Sequence, residues 1–474
     1  MRWNLAAIAQ AVGGDLAGCD REVSGITTDT RADCAGKLFI ALKGERFDAH
    51  DYLAEARKQG AAALLVSREG ISDPELPTLR VADTRIALGA LAAAWRARFA
   101  LPVLAVTGSN GKTTTREMIA TILKTAYGEA AVLTPRGNFN NDIGLPRTLL
   151  ELEATHKAAV LELGMNHPGE IAALTRIARP TAALVTNAQR AHLEGLGDVD
   201  AVAREKGSLY AGLDAAGIAL VNDDDPHAGT WRAVLRARNA KQRIIGFSLA
   251  AAQGEITAQG EPDDGERLTG TASLNGLETR LAIDFASGRL EIPLAVPGAH
   301  NARNALAAAA AAWALGIAPE GIAQGLAAFP GVRGRLQRLP GPRGATLIDD
   351  TYNANPDSAR AAIAVLAACT GRKFLVLGDM GEVGDERAAD ICHAEIGNFA
   401  RSMKIDDLCI MGMASRAAMR NFGSGRWFSE PESLVHALWN DLKPGDTVLV
   451  KGSRFMKMER VVQGLHVPHT GGSD

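Results

Sequence analysis

The segment VLAVTGSNGKTTT (103–115) constrains this chain more than any other. A short apolar run, Val103–Val106, passes directly into a glycine-containing turn, and a helix-compatible stretch follows. That context of strand, turn and helix gives a glycine-rich phosphate loop its meaning. Gly108 and Gly111, with Asn110 between them, let the backbone approach phosphate oxygens closely, so that N–H groups and the helix N-terminus surround an anion. Lys112 would reach the β- and γ-phosphates, the Thr113 hydroxyl would bind Mg²⁺, and Thr114 follows in the first helical turn. Val106 occupies the position of the first glycine in the commoner pattern, which makes this loop a shortened variant. A loop of this kind requires a parallel sheet whose strand ends face the ligand, so the fold class expected is α/β.

The surrounding pattern agrees. Apolar runs at AAVLELG (158–164), AALVTN (182–187), GIALVN (217–222) and RIIGF (243–247) alternate with helical spacers, as in a parallel sheet covered on both faces. Residues 255–297 change to ITAQG, TASLNGL, TRLAIDF and RLEIPLAV, a small antiparallel meander, and an Ala-rich helix is expected over 301–315. Before this zone, LFIAL (38–42) and AAALLV (61–66) alternate with helical stretches, the last over 84–99. After it, the Gly/Arg/Pro-rich segment 331–344 reads as a linker to TLIDD (346–350), KFLVLGD (373–379), DLCIMG (407–412) and DTVLVKG (446–452), a further α/β unit. The expected domains are 1–99, 100–331 and 332–474, with the tail VPHTGGSD (467–474) frayed.

Composition narrows the function. With 474 residues, 47% of them apolar, the chain can bury several cores. Its net charge of −3 lacks the positive field of a nucleic-acid binder, which leaves small molecules or proteins as partners. The five cysteines never take CxxC spacing, which fits a reducing compartment without disulfides. The first residues lack a signal-peptide pattern, and the apolar stretch 305–315 is too short to span a bilayer; a cytoplasmic protein without membrane insertion is expected.

Four further segments carry polar groups where chemistry would need them. GNFNND (137–142) places Asn138, Asn140 and Asn141 in a glycine-bounded loop, suited to polar recognition or to a plain surface turn. Glu162 ends an apolar strand, where it would bind Mg²⁺ beside Thr113 or cap the next turn. His192, in TNAQRAHLEG (186–195), would serve a second cation, orient phosphate, or be an ordinary satisfied histidine. Asn301 and Asn304, one helical turn apart, are either caps or ligand contacts. Lys206 taken alone reads as a solvated helix face.

Taken in order, these segments resemble the Mur ligases, the ATP-dependent amide ligases of peptidoglycan synthesis. The resemblance spans nearly the whole chain and includes TGSNGKTTTREM (107–118), GNFNNDIGLP (137–146), ELGMNHPGEI (162–171), AHNARN (299–304), DDTYNANPDS (349–358), VLGDMGEVG (376–384) and KGSRFMKME (451–459). It implies a central P-loop ATPase domain flanked by an N-terminal UDP-binding domain and a C-terminal Rossmann-like domain. The branch resembled adds D-alanyl-D-alanine to a UDP-N-acetylmuramoyl-tripeptide through an acyl phosphate; the DNPR motif of the branch that adds the third residue is missing, and nothing in the sequence demands more than a monomer.

Residue by residue, the resemblance makes Lys112, Lys206, His192 and Glu162 catalytic, and Thr113, Glu162 and His192 ligands of two Mg²⁺ ions. Lys206 aligns with a lysine that family members carbamylate. Gly108, Asn110, Gly111, Thr114, Asn301, Asn304, Arg335 and Asp350 would contact ATP. Thr28, Asp29, Thr30, Arg31 and Lys43 fall in the uridine-binding region; Asn138, Asn140 and Asn141, with Tyr352, Asn353 and Asn355 near the dipeptide, would complete substrate binding. The chain departs from the family pattern at Ala49, where glycine is usual, and at Glu205, where a small residue is common. A folylpolyglutamate-synthetase-like ligase and a P-loop switch NTPase are the rival readings; the second should show an NKxD or Walker B run, and neither appears where expected.

Overall fold

Nine strands form the central sheet in a computed structural model that describes residues 1–71, 73, 75–250 and 266–467. Val103–Thr107 lies in its interior between Ala158–Glu162 and Ala182–Val185, in parallel register on both sides. Parallel pairing continues through Ile218–Asn222 and Arg243–Ala250. Side chains of the strand Val103–Thr107 alternate between two cores: Val103 and Ala105 face one, Leu104 and Val106 the other. Both faces are therefore covered, which explains the unbroken apolar runs.

The expected meander is an extension of this same sheet. Glu266–Asn275 pairs parallel with Arg243–Ala250, and only then do Glu278–Phe285 and Gly288–Leu294 turn antiparallel. ITAQG (256–260) lies outside the described residues, as does the tail 468–474. The Ala-rich helix runs Ala299–Ala314, and its alanines from Ala307 to Ala312 are buried against the sheet and the phosphate-loop helix Lys112–Tyr127. Small side chains let these two helices approach closely.

The architecture has three domains. The N-terminal one has a five-stranded sheet, and its helix Thr84–Arg96 is capped by Asp83, which accepts from Arg85 N at 2.7 Å and Ile86 N at 3.0 Å. The apolar face of this helix shares one core with the central sheet, and Trp95 Nε1 donates to Leu152 O at 3.1 Å. The C-terminal domain has six strands, five of them parallel in the order Thr346–Asp350, Thr447–Lys451, Lys373–Leu377, Asp407–Met411 and Arg426–Phe428. Residues 331–344 are not simply a linker. Gln337–Pro340 is an edge strand antiparallel to Thr346–Asp350. Its edge position tolerates Pro340, and the Gly/Arg/Pro content hides the pattern in sequence.

Candidate active site

The strands' C-terminal ends open on a cleft of about 650 Å³ lined by both the central and C-terminal domains. Gly111 caps the phosphate-loop helix at φ 81°, and Gly108 has φ 150°. A Cβ on Gly108 would run into the Thr186 hydroxyl, and one on Gly111 into the Asn304 side chain. Both glycines are thus required by space as well as by conformation. Lys112 Nζ folds back onto its own loop, donating to Gly108 O at 2.7 Å and Ser109 O at 3.3 Å. Burial lowers the Lys112 pKa, and the Glu162 carboxylate opposes that shift.

Glu162 is 2% exposed at the end of its strand. Its Oε1 accepts from Asn140 Nδ2 at 2.9 Å, so the GNFNND loop holds the carboxylate in place. Oε2 is buried, has no hydrogen-bond partner among the described residues, and lies 3.6 Å from Arg116 Nε. An orphaned carboxylate oxygen on a phosphate cleft fits a hard cation. No cluster of three or more His, Cys, Asp or Glu is arranged to hold a metal among the described residues. Mg²⁺ commonly binds through one or two protein oxygens plus substrate phosphates. Thr113 Oγ1 faces the cleft and accepts from Arg335 Nη2 at 2.9 Å. His192 lines the cleft with φ 58°; its Nδ1 lies 2.8 Å from Glu382 Oε2 of the C-terminal domain, an interaction that lowers the Glu382 pKa.

Lys206 is 1% exposed, not a solvated helix face. It is absent from the cleft wall, but its pKa lies well below the ordinary lysine value because of burial and then the nearby Lys112 charge. Glu205 points the other way, accepting from Gly169 N and Ile171 N at 2.9 Å each, and so caps the helix Glu170–Ala178. The departure at Glu205 thus has a local structural role. Ala49 is buried with no left-handed φ, so alanine serves where glycine is usual.

From the Ala-rich helix, Asn301 and Asn304 line the cleft. Asn301 Nδ2 donates to Pro297 O at 2.8 Å, and Asn304 Nδ2 to Asn301 Oδ1 at 3.2 Å. The C-terminal domain contributes Arg335, stacked 4.1 Å from the Tyr352 ring centroid, and Asp350. Asp350 Oδ2 accepts from Lys451 Nζ at 2.6 Å; burial raises the Asp350 pKa, with Lys451 opposing. Asn353 and Asn355 complete this wall.

Thr28, Asp29, Thr30, Arg31 and Lys43 are not brought to this cleft. Asp29 and Arg31 pair with each other at 2.8 Å, and the Lys43 backbone forms an isolated antiparallel β-bridge with Asp48 in the N-terminal domain. Cleft residues that went unassigned in sequence include His300, Arg303, Glu382, Lys451 and Arg454. Lys451 ends a parallel strand, the same signal that singled out Glu162.

A phosphate loop on a parallel sheet, closed over by a second α/β domain, defines a nucleotide-dependent ligase-type cleft. Profiles of the Mur ligase catalytic domain, the Mur ligase middle domain and the Mur ligase glutamate ligase domain match residues 22–96, 106–312 and 334–454. The chain belongs to the Mur ligase family. It is similar to the UDP-N-acetylmuramoyl-tripeptide–D-alanyl-D-alanine ligase of Escherichia coli (strain K12), 41% identical over 97% of this chain and 98% of that protein. Among solved structures, MurF from Acinetobacter baumannii matches with TM-score 0.87 and 35% identity, covering 98% of each chain. MurF from Thermotoga maritima in complex with ADP matches at TM-score 0.80 and 26% identity, over 93% of this chain and 96% of that one.

Proposed function

We propose that this chain performs the reaction named for its relatives: ATP-dependent joining of D-alanyl-D-alanine to a UDP-N-acetylmuramoyl-tripeptide, releasing ADP and phosphate. The observation that carries the reading is the end-to-end likeness to ligases of this name, together with a two-domain cleft lined by Ser109 through Thr114 of the nucleotide loop. ATP is a substrate. A carboxylate oxygen of the tripeptide attacks the γ-phosphorus and ADP leaves, giving an acyl phosphate. The dipeptide amine then attacks the acyl carbon, and phosphate departs from the tetrahedral intermediate as the nitrogen loses its proton.

Two anions must meet in the first step, so placed positive charge is needed. Lys112 supplies one such charge, and the Gly108–Gly111 backbone cradles phosphate oxygens. Thr113, Glu162 and His192 would hold Mg²⁺, which when bound neutralises the phosphoryl charge. Asn140 keeps Glu162 oriented at 2.9 Å. Asn301, Asn304, Arg335 and Asp350 would fix the nucleotide, while Asn138, Asn141, Tyr352, Asn353 and Asn355 would meet the other substrates.

The depressed basicity of Lys206 makes a neutral amine available to add CO₂, forming an N-carboxylate and releasing a proton. The segments 1–99, 100–331 and 332–474 would divide the work between UDP-substrate, ATP and dipeptide, with the Thr28–Arg31 region and Lys43 holding the uridine end. A cytoplasmic, monomeric enzyme acting on small-molecule substrates is part of this reading; no helix among the described residues is long and apolar enough to cross a membrane. Incubation with ATP, the UDP-tripeptide and D-Ala-D-Ala should give UDP-pentapeptide by mass spectrometry. ADP release that does not depend on the dipeptide would overturn the assignment.

A further inference from the structure

We propose that Arg190 is a positioning residue that docks the C-terminal domain onto the phosphate loop and sets the register between them. Arg190 sits in the loop after Ala182–Val185, and that loop is fastened to the phosphate loop. Ser109 N donates to Asn187 O at 3.0 Å, Gln189 N to Ser109 Oγ at 2.9 Å, and Asn110 Nδ2 to Gln189 Oε1 at 2.7 Å. The next residue reaches across the domain boundary. Arg190 N donates to Asp357 Oδ2 at 2.9 Å, Nη2 to Asp357 Oδ1 at 2.6 Å, and Nη1 to Glu395 Oε2 at 2.6 Å.

Asp357 lies in the first turn of the helix Pro356–Ala367, directly after the segment that carries Tyr352 and Asn353 into the cleft. Glu395 lies on a second helix, Glu386–Ser402, where Arg360 also meets it at 3.3 Å. One guanidinium therefore grips two helices of the C-terminal domain, while its own loop is bonded to the phosphate loop. An isolated surface ion pair contributes little. Here the pairs are half-buried, with the Arg190 side chain 32% exposed, and the planar guanidinium fork matches carboxylate geometry. Arg190 itself does not line the cleft, whereas its partner Asp357 does, so Arg190 acts through the placement of that wall with Tyr352, Asn353 and Asn355.

The test is R190A, with D357N/E395Q as an independent route to the same loss. Small-angle scattering of the substrate-free protein should show a larger radius of gyration in both variants. At saturating ATP, the KM for D-Ala-D-Ala should rise about tenfold while kcat falls less than about threefold, because only the docked population binds productively. R190K should restore part of the compactness. Wild-type scattering and KM in D357N/E395Q would overturn the proposal, whether or not R190A folds, as would a loss of kcat at constant KM. The scattering arm is independent of which substrates the cleft takes, so failure of the ligase reading is distinguishable from failure of the dock.

Discussion

Asn110 in the phosphate loop and Asn355 at the head of a C-terminal-domain helix bond amide to amide across the cleft. Asn355 Nδ2 donates to Asn110 Oδ1 at 2.8 Å, and Asn110 Nδ2 donates back to Asn355 Oδ1 at 3.4 Å. Asn355 also caps its helix, its Oδ1 accepting from Ser358 N at 2.9 Å. The two roles separate by substitution. Asn355→Asp keeps the cap but loses the donor to Asn110, so the melting temperature should hold while the KM for the dipeptide rises. Asn355→Ala should also lose about 1 kcal/mol of stability, read by thermal denaturation.

Space around Gly111 makes a second prediction. Gly111→Ala places a methyl against the Asn304 amide at a left-handed φ. The conformational term alone costs about 1–2 kcal/mol. ATP affinity measured by calorimetry should fall at least tenfold, and Gly111→Ala/Asn304→Gly should recover part of it. Unchanged affinity in the single variant would show that the loop relaxes freely.

Lys206 predicts a modification. Because burial and Lys112 disfavour its ammonium form, the neutral amine is more accessible than in a solvated lysine. With ¹³C-bicarbonate, the protein should show a carbamate carbon resonance that Lys206→Met abolishes, with activity lost in the same variant. A carbamate signal that survives the substitution would place the modification elsewhere.

His300 gives the pH dependence. Burial, then Lys451 and Arg303, lower its pKa from 6.5 to about 4. Below about pH 6.5 the unfolded chain takes up a proton that the folded chain refuses. The contribution of neutral His300 is therefore present above that pH and is lost as pH falls toward 4. After allowance for its partial exposure, the loss is on the order of 1 kcal/mol. Denaturation between pH 7 and pH 5 should show a shallower decline for His300→Asn than for wild type; parallel declines would contradict this.

Much of the site is legible in one dimension because its chemistry is local. The phosphate loop needs its glycines, lysine and threonine within nine residues, and Glu162 announces itself as a carboxylate ending a buried strand. The alternating apolar runs likewise define the strands TLIDD and VLAVT at their observed bounds. Residues 331–344 show where this fails: the edge strand Gln337–Pro340 carries no periodic signal, since its partner Thr346–Asp350 supplies the order.

The chain's linear pattern alone determined the α/β class, the phosphate loop and the family resemblance, since each depends on residues close together or repeated at regular spacing. Tertiary packing decided the rest. It buried Lys206, which its own helix would have left a plausible surface residue, turned Glu205 to a neighbouring helix N-terminus, and gave Arg190 its two carboxylates more than 160 residues away. Desolvation and charge pairing act through space, so they arise only once distant segments have been brought together.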